Sequence, residues 1–348
     1  MSVSVGSVGD PVDRTATVRD VGERRLIAEL TRVATQTASS AERDPSAGHR
    51  PDIVIGSGDD AAVIDTAGPT VISTDTAVQG RHFRFDWSDA RTIGARAVVQ
   101  SAADIAAMGA RTTGTVVSIA CPPTTTVGTV LELNAGIVEM THRLGARVLG
   151  GDLVAADQVV LTVTAVGALD GAVPIVVGGA HPGDVLAVTG RALGSSAAGL
   201  ALLVDADARS RTALLDEHRS VVDAYRLPTP DLAQGPRAAR AGAHAMTDIS
   251  DGLVEELITM ASASGVCLEV ESARIPGSPA LPGIAAALGA DATSWRLTGG
   301  EDHELLAAFP DGDLPQGWTA IGAVTPGSGV YVDGRVVADL HGWQSFGM

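Results

Sequence analysis

DARTIGARAVVQSAADIAAMGA, residues 89–110, reads as a single helix. At 100° per residue, Ile93, Ala97, Gln100, Asp104 and Met108 fall within a narrow arc. An aspartate on such an apolar, inward-facing stripe must be hydrogen-bonded, paired or metal-bound, because an isolated buried carboxylate is very costly. Satisfaction of Asp104 by backbone or by an arginine is as good a reading as function, taken alone.

Working outward, the same chemistry recurs. Short apolar runs lead into Gly/Ser/Thr turns and then an acid: DIVI into GSGDD (52–60), TVIS into TDT (70–76), ARVL into GGD (146–152), and AHAM into TDISDG (243–252). WRL before TGGED (295–302) is a shorter variant. Strands that end in small-residue turns place their carboxylates at one rim of a sheet. Each acid has an ordinary reading as well. Asp251 could cap the GLVEEL helix, Asp75 could close an Asx-turn, Asp152 could belong to turn chemistry, and Glu301 and Asp302 could be solvated loop acids. All of those readings would have to hold at once.

The remaining pattern is mixed. Helices are expected at VGERRLIAELTRVA, VGTVLELNAGIVEMTHRL, SSAAGLALLV and GLVEELITMASA, and strands at TVVSIA, VVLTVTAVGAL, VLAVTG, TAIGAV and GVYVDGRVV. This order predicts a two-domain α/β (mixed α+β) protein split near residues 170–180, where HPGD (181–184) makes a turn. The expected divisions are a mobile tail at 1–20, an N-terminal domain at 21–170 and a C-terminal domain at 171–348. A chain of 348 residues is long enough for two domains, and with 45% hydrophobic but only 3% aromatic residues its core must be built of Ala, Val, Leu and Ile.

The formal net charge of −17 argues against nucleic-acid binding and against anionic membrane surfaces. No apolar run approaches the roughly 20 residues of a membrane span, and the first 20 residues lack the pattern of a secretory signal. Cys121 and Cys267 lack metal-ligand spacing, so a cytoplasmic protein with two structural thiols is expected. The chain contains no lysine, so all 24 basic residues are arginines. Walker A nucleotidases, protein kinases of the usual kind and Schiff-base enzymes each need a lysine and are excluded. Adjacent acids such as Asp59 and Asp60, without basic neighbours, call for an external cation. Hard divalent ions prefer carboxylate oxygens, and Mg²⁺ typically bridges one or two carboxylates to substrate phosphates.

The segments GSGDDAAV, STDT, GRHF, SAADIAAMGA, GGD, TDISDGL, GGEDHEL and GWQSF occur in this order. Together they resemble the thiamine-monophosphate kinase family, within the superfamily of aminoimidazole ribonucleotide synthetase, from about Gly22 to the C-terminus. The resemblance implies the two-domain fold of that superfamily and a homodimer whose N-terminal domains pair through their sheets. It implies ATP and several Mg²⁺ ions, and transfer of the γ-phosphoryl group onto thiamine monophosphate, the last step of thiamine diphosphate biosynthesis. By motif, Asp60, Thr74, Asp75, Asp104, Asp152, Asp248 and Asp251 match the family's metal ligands, with an oxygen from Ser73. Gly151, Asp152 and Ser250 match positions at the nucleotide phosphates. His82, Glu301 and Trp343 match substrate-contacting positions. Val177 and Asp231 stand where the family usually has arginine, so positive contacts to ATP are fewer or come from other arginines.

The nearest alternatives are other ATP-using members of that superfamily. Selenophosphate synthetase needs a reactive Cys or selenocysteine with a Lys, and the carbamoyl dehydratase of hydrogenase maturation needs a C-terminal Cys, which SFGM lacks. GRHF and GWQSF weigh against an aminoimidazole ribonucleotide synthetase-like ligase. A non-catalytic divalent-cation-binding protein is the reading from another class, and DISDG has the wrong spacing for an EF-hand.

Overall fold

The computed structural model describes residues 12–41, 52–55, 61–66, 68–209, 212–337 and 340–343. Asp60, most of the 1–20 tail and the QSF of the C-terminal motif lie outside the described residues. In chain order the first elements are α1 (Val18–Val21), α2 (Glu23–Ala41), β1 (Asp52–Ile55), β2 (Val63–Asp65), β3 (Thr70–Val78), α3 (Ala90–Ala107), β4 (Arg111–Cys121), α4 (Val127–Arg143), β5 (Arg147–Ala155) and β6 (Val160–Ala168). Then come β7 (Val185–Val188), α5 (Ser195–Arg209), α6 (Ala213–Glu217), α7 (Arg219–Arg226), α8 (Gln234–Arg240), β8 (Ala245–Asp248), α9 (Leu253–Ser264) and β9 (Cys267–Val270). The last are α10 (Leu281–Leu288), α11 (Ala292–Thr298), β10 (Leu305–Phe309), β11 (Thr319–Thr325), β12 (Gly329–Val332) and β13 (Arg335–Val336).

Contacts divide the chain into two compact units. The first comprises residues 1–66, 74–98 and 113–166, the second 67–73, 99–112 and 167–348. The C-terminal half of α3, with Asp104, groups with the second unit. The reason is packing, since Ala106 and Ala107 belong to a core cluster with Ala187, Ala238, Met246 and Phe309.

In the first unit, β1 and β2 form an antiparallel pair. A four-stranded sheet runs in the order β3-β6-β4-β5, with β4 and β5 parallel. Helix α4 buries Val130, Leu133 and Ile137 among others. Helices α3 and α4 meet at glycines: a Cβ on Gly94 would lie 2.0 Å from the Leu133 carbonyl oxygen, and one on Gly136 would lie 1.8 Å from that of Arg91. Residues 13–21, which the sequence reading placed largely in the tail, dock on the β4–α4 connection. Val18 and Arg19 N–H groups donate to the carbonyls of Thr125 and Pro123, Thr17 and Asp20 form a capping box, and Arg14 pairs with Glu132.

The second unit is built on a seven-stranded sheet, β13-β12-β9-β11-β7-β10-β8. Strict alternation covers both of its faces. Leu186, Val188, Leu306 and Ala308 face a cluster with Leu253, Leu257 and Met260 of α9, while Ala187, Ala307 and Phe309 face the cluster around Ala238 and Trp318. Strand β10 is buried at all five positions, and it lies between β7 and β8, antiparallel to both. The core is aliphatic, as the composition requires, and both cysteines are free and buried. Among the described residues, no helix is long and apolar enough to cross a membrane.

Candidate functional site

The helix predicted over 89–110 forms as α3, and the arc expected to face inward is covered only over its first part. Ile93, Ala97 and nearly every other residue of its length are buried, while Gln100, Asp104 and Met108 are the half-buried ones. An alanine-rich helix is packed on almost every side, and of the shared arc only its C-terminal part, from Gln100 on, opens to solvent. Asp104 therefore avoids full desolvation and stands at an accessible face. There the Ser73 hydroxyl donates to its Oδ2 at 2.5 Å.

Gln100, one turn earlier, connects this face to a second group of acids in the same unit. Its Nε2 donates to Glu301 Oε2 at 3.1 Å. The same carboxylate oxygen lies 3.2 Å from His303 Nε2, whose Nδ1 is 3.1 Å from Asp248 Oδ2. His303 is only 3% exposed. Burial alone would pull its pKa down, but two carboxylate partners overcome that and hold it at about 10, so both ring nitrogens carry protons. The result is a fixed row: amide, carboxylate, imidazolium, carboxylate.

The backbone that holds this row is unusual. Glu301 and His303 take left-handed conformations with φ of 66° and 53°, where non-glycine residues are uncommon. Three hydrogen bonds lace the loop to the end of β8: Ile249 N–H to Glu304 O, Glu301 N–H to Ser250 O, and His303 N–H to Ile249 O. Between them the Asp302 carboxylate is buried and accepts from Gly194 and Ser196 N–H groups at the start of α5. Its pKa is nonetheless raised by burial to about 6. Strain of this kind at a cluster of polar groups is a marker of function.

Asp251 completes the group. Its pKa is raised by burial, then by the charges of Glu301, Asp248 and Glu255. Helix α9 is N-capped by Gly252, with φ of 119° and no side-chain capping bond, so the capping role open to Asp251 is not taken. Glu256, on the first turn of α9, is pushed to about 7 by burial and by Asp248. Ser250 Oγ donates to Glu256 at 3.4 Å. Segment 340–343 reaches the same place: Trp343 N–H donates to the Asp251 carbonyl and Gly342 N–H to Glu255. A Cβ on Gly342 would lie 2.0 Å from that carbonyl oxygen, so only glycine permits the approach. The Trp343 side chain is 51% exposed.

This cluster joins Ser73, Asp104, Asp248, Asp251 and Glu301, all singled out in the sequence, and adds Gln100, His303 and Glu256. His303 was legible as the second residue after Glu301 in GGEDHEL. Asp251 and Glu256, both raised by burial and by neighbouring carboxylates, fit the surroundings of a divalent cation, which carboxylate oxygens would hold.

Thr74, Asp75, His82, Gly151 and Asp152 lie in the first unit. Asp75 and Asp152 are not at strand-ending turns. Asp75 lies within β3, and Asp152 within β5, in register with Ser118. The strands run on because threonines and valines follow the acids. Thr74 and Asp75 point to opposite faces, and the Thr74 hydroxyl lies 3.0 Å from Thr164 Oγ1. Thr76 and Thr162 repeat that contact at 2.9 Å. Gly151 allows close strand approach, since a Cβ there would lie 2.2 Å from the Val117 carbonyl oxygen. With Asp152 it lines a hollow of about 540 Å³, bordered also by Val116, Ser118, Thr162 and Thr164. His82 accepts the Val78 N–H at Nδ1 (3.0 Å), which places the proton of the neutral ring on Nε2. WRL is the end of helix α11, not a strand, with Asp291 as its N-cap. Asp231, at the position usually held by arginine, accepts from Arg237 and Gln234.

Comparison with known proteins follows the same division. Residues 58–169 match the family model "AIR synthase related protein, N-terminal domain", and residues 181–334 match its C-terminal counterpart. A thiamine-monophosphate kinase of Mycobacterium tuberculosis is 41% identical over 334 residues, 95% of this chain and 93% of the relative. The crystal structure of thiamine-monophosphate kinase from Stenotrophomonas maltophilia superposes with a TM-score of 0.74 at 28% identity, covering 88% of this chain and 97% of that one. A structure described as AaThiL complexed with AMPPCP and TMP gives a TM-score of 0.73 at 25% identity, covering 96% and 100%.

Proposed function

The chain belongs to the thiamine-monophosphate kinase family of AIR synthase related proteins, and from that premise we propose that it transfers the γ-phosphoryl group of ATP to thiamine monophosphate, giving thiamine diphosphate and ADP. The observation that carries this reading is the row Gln100–Glu301–His303–Asp248, set beside Asp104 and Asp251. It occupies motifs shared with the family and is a carboxylate cluster fitted to cations. A solved relative that binds an ATP analogue together with TMP supports the substrate pair.

In this reading Asp104, Asp248 and Asp251, with an oxygen of Ser73, hold Mg²⁺ in the second unit. Thr74, Asp75, Asp152 and Asp60 serve the same purpose in their own segments. When bound there, Mg²⁺ neutralises charge on the transferring phosphates and aligns attacking and leaving oxygens. Gly151 and Ser250 lie at nucleotide-phosphate positions, and His82, Glu301 and Trp343 at substrate positions. The acceptor is a phosphate monoester whose second pKa is about 6, so it arrives as a dianion and needs no general base. The chain's own task is to bind and orient. His303 holds Glu301 and Asp248 in place through its two ring nitrogens, and the left-handed backbone at Glu301 fixes that carboxylate. Val116 and Val154, 40% and 44% exposed on one face of the four-stranded sheet, support pairing of two copies through that sheet.

The test is incubation of the purified protein with ATP, Mg²⁺ and thiamine monophosphate, followed by chromatography for thiamine diphosphate. Product that requires all three components supports the reading. Absence of product, from a protein that binds both substrates, would reject it.

A further inference from the structure

We propose that His181, Asp184 and His244 form a second metal site, for Zn²⁺ or a similar borderline transition ion, separate from the acidic cluster. One ligand atom from each residue lies within 4.8 Å of the others. His181 Nδ1 and His244 Nδ1 are 3.2 Å apart, and His244 Nδ1 is 3.0 Å from Asp184 Oδ1. Tetrahedral Zn²⁺ with bonds of about 2.0–2.1 Å sets its ligand atoms about 3.3 Å apart. Two edges of the triangle therefore already have nearly that length.

Hydrogen bonding alone does not account for the convergence. An imidazole nitrogen has one in-plane direction and, when neutral, either a proton or a lone pair there. His244 Nδ1 faces both oxygens of Asp184 and the Nδ1 of His181. A proton directed at the carboxylate leaves the His181 contact without one. If His244 Nδ1 instead keeps its lone pair, for a proton from His181, that lone pair faces the Asp184 carboxylate. A cation at the centre of the three satisfies all of them.

The surroundings are those of a supported site. Asp184 is 4% exposed, and its Oδ2 accepts the His181 N–H at 2.8 Å, leaving Oδ1 as ligand. Its own N–H donates to the His181 carbonyl, closing the turn. The two rings are edge to face at 83°, so their nitrogens converge rather than stack. His181 is exposed, which provides an entry path and leaves a fourth position to water. Nitrogen and carboxylate ligands with an open place suit Zn²⁺, Co²⁺ or Ni²⁺ better than Mg²⁺.

The position is distinct from the acidic cluster. His244 precedes β8 and Asp248 ends it, so the two groups are separated along the strand by about 13 Å. Asp184 precedes β7, two strands away across β10. An ion there would staple the 181–184 turn to the start of β8.

The probe is Zn²⁺ itself, titrated into chelator-treated full-length protein in the presence of excess Mg²⁺, which occupies the acidic cluster. The wild type should bind one equivalent more than the His181→Gln/His244→Gln variant. Each single variant should weaken that equivalent by more than the roughly 10- to 100-fold typical of losing an outer-shell partner. Co²⁺ substitution should give a visible d–d band in the wild type alone. A second measurement uses the unaltered chain. Metal on Nδ1 leaves the proton on Nε2, so Zn²⁺ should protect His181 and His244 from diethyl pyrocarbonate, mapped by mass spectrometry. Equal Zn²⁺ stoichiometry in wild type and double variant would overturn the proposal. Unchanged labelling of both histidines with Zn²⁺ would overturn it as well.

Discussion

Replacing His303 by glutamine removes the cation from between two carboxylates and keeps much of the side-chain volume. The buried imidazole sits 3.1 Å from Asp248 and 3.2 Å from Glu301, and its pKa rises from 6.5 to about 10. A histidine whose folded pKa lies above its unfolded value adds stability that is fully present below pH 6.5 and lost as pH rises through 10. At pH 7.5 the ring is held charged by about 2.5 pH units, or about 3 kcal/mol. That agrees with the 3–5 kcal/mol typical when one partner of a buried ion pair is removed. His303→Gln should therefore lower the melting temperature of the chelator-treated protein at pH 7.5 by about 5 °C. The deficit should shrink steadily between pH 7 and 10. Thermal denaturation followed by circular dichroism, at several pH values, measures both quantities. A variant that melts with the wild type at pH 7.5 would refute the buried imidazolium. So would a deficit that stays constant to pH 10.5.

Asp104→Asn should abolish product formation at saturating Mg²⁺ while leaving the melting curve intact, because Asp104 is on a half-open face and the amide is nearly isosteric; comparable turnover would remove it from the metal ligands. Glu304, raised by burial from 4.5 to about 7, binds more protons folded than unfolded between those values, so its contribution to stability falls as pH rises from 4.5 to 7. Glu304→Gln should thus stabilise the protein at pH 8 by up to about 3 kcal/mol and hardly at pH 4.5, read from urea unfolding; a gain independent of pH would contradict the assignment. Trp343→Ala should raise the KM for thiamine monophosphate well above any change in that for ATP, because the half-exposed indole is carried to Asp251 by its own backbone bond. Equal changes for both substrates would indicate general destabilisation.

Much of this arrangement was legible in the sequence, and the failures have physical causes. Helical spacing showed that Ile93, Gln100 and Asp104 share one side of α3, but spacing is blind to which side is covered. The many small alanines allow neighbours to pack closely round the helix, so Ile93 is covered while Gln100 and Asp104 on the same side stay half-buried. Asp75 and Asp152 were expected at turns because small residues precede them, yet β-branched neighbours keep β3 and β5 extended through both. The Trp295–Leu297 run was too short to separate strand from helix, and the Asp291 cap that decides it lies four residues upstream. Whether Asp251 capped α9 or faced the acids depended on Gly252, whose positive φ lets the chain turn without a side-chain cap. His303 was passed over because its role comes from Asp248, 55 residues away in sequence. Such pairings arise only when β10 is laid beside β8.

The most direct test of the proposed activity follows the phosphorus itself. ATP labelled in the γ-phosphate, supplied with Mg²⁺ and thiamine monophosphate, should pass its label into thiamine diphosphate with ADP formed one for one. No label should appear as inorganic phosphate, and Asp104→Asn should stop the transfer. Label released as inorganic phosphate while thiamine monophosphate remains unchanged would contradict direct phosphoryl transfer.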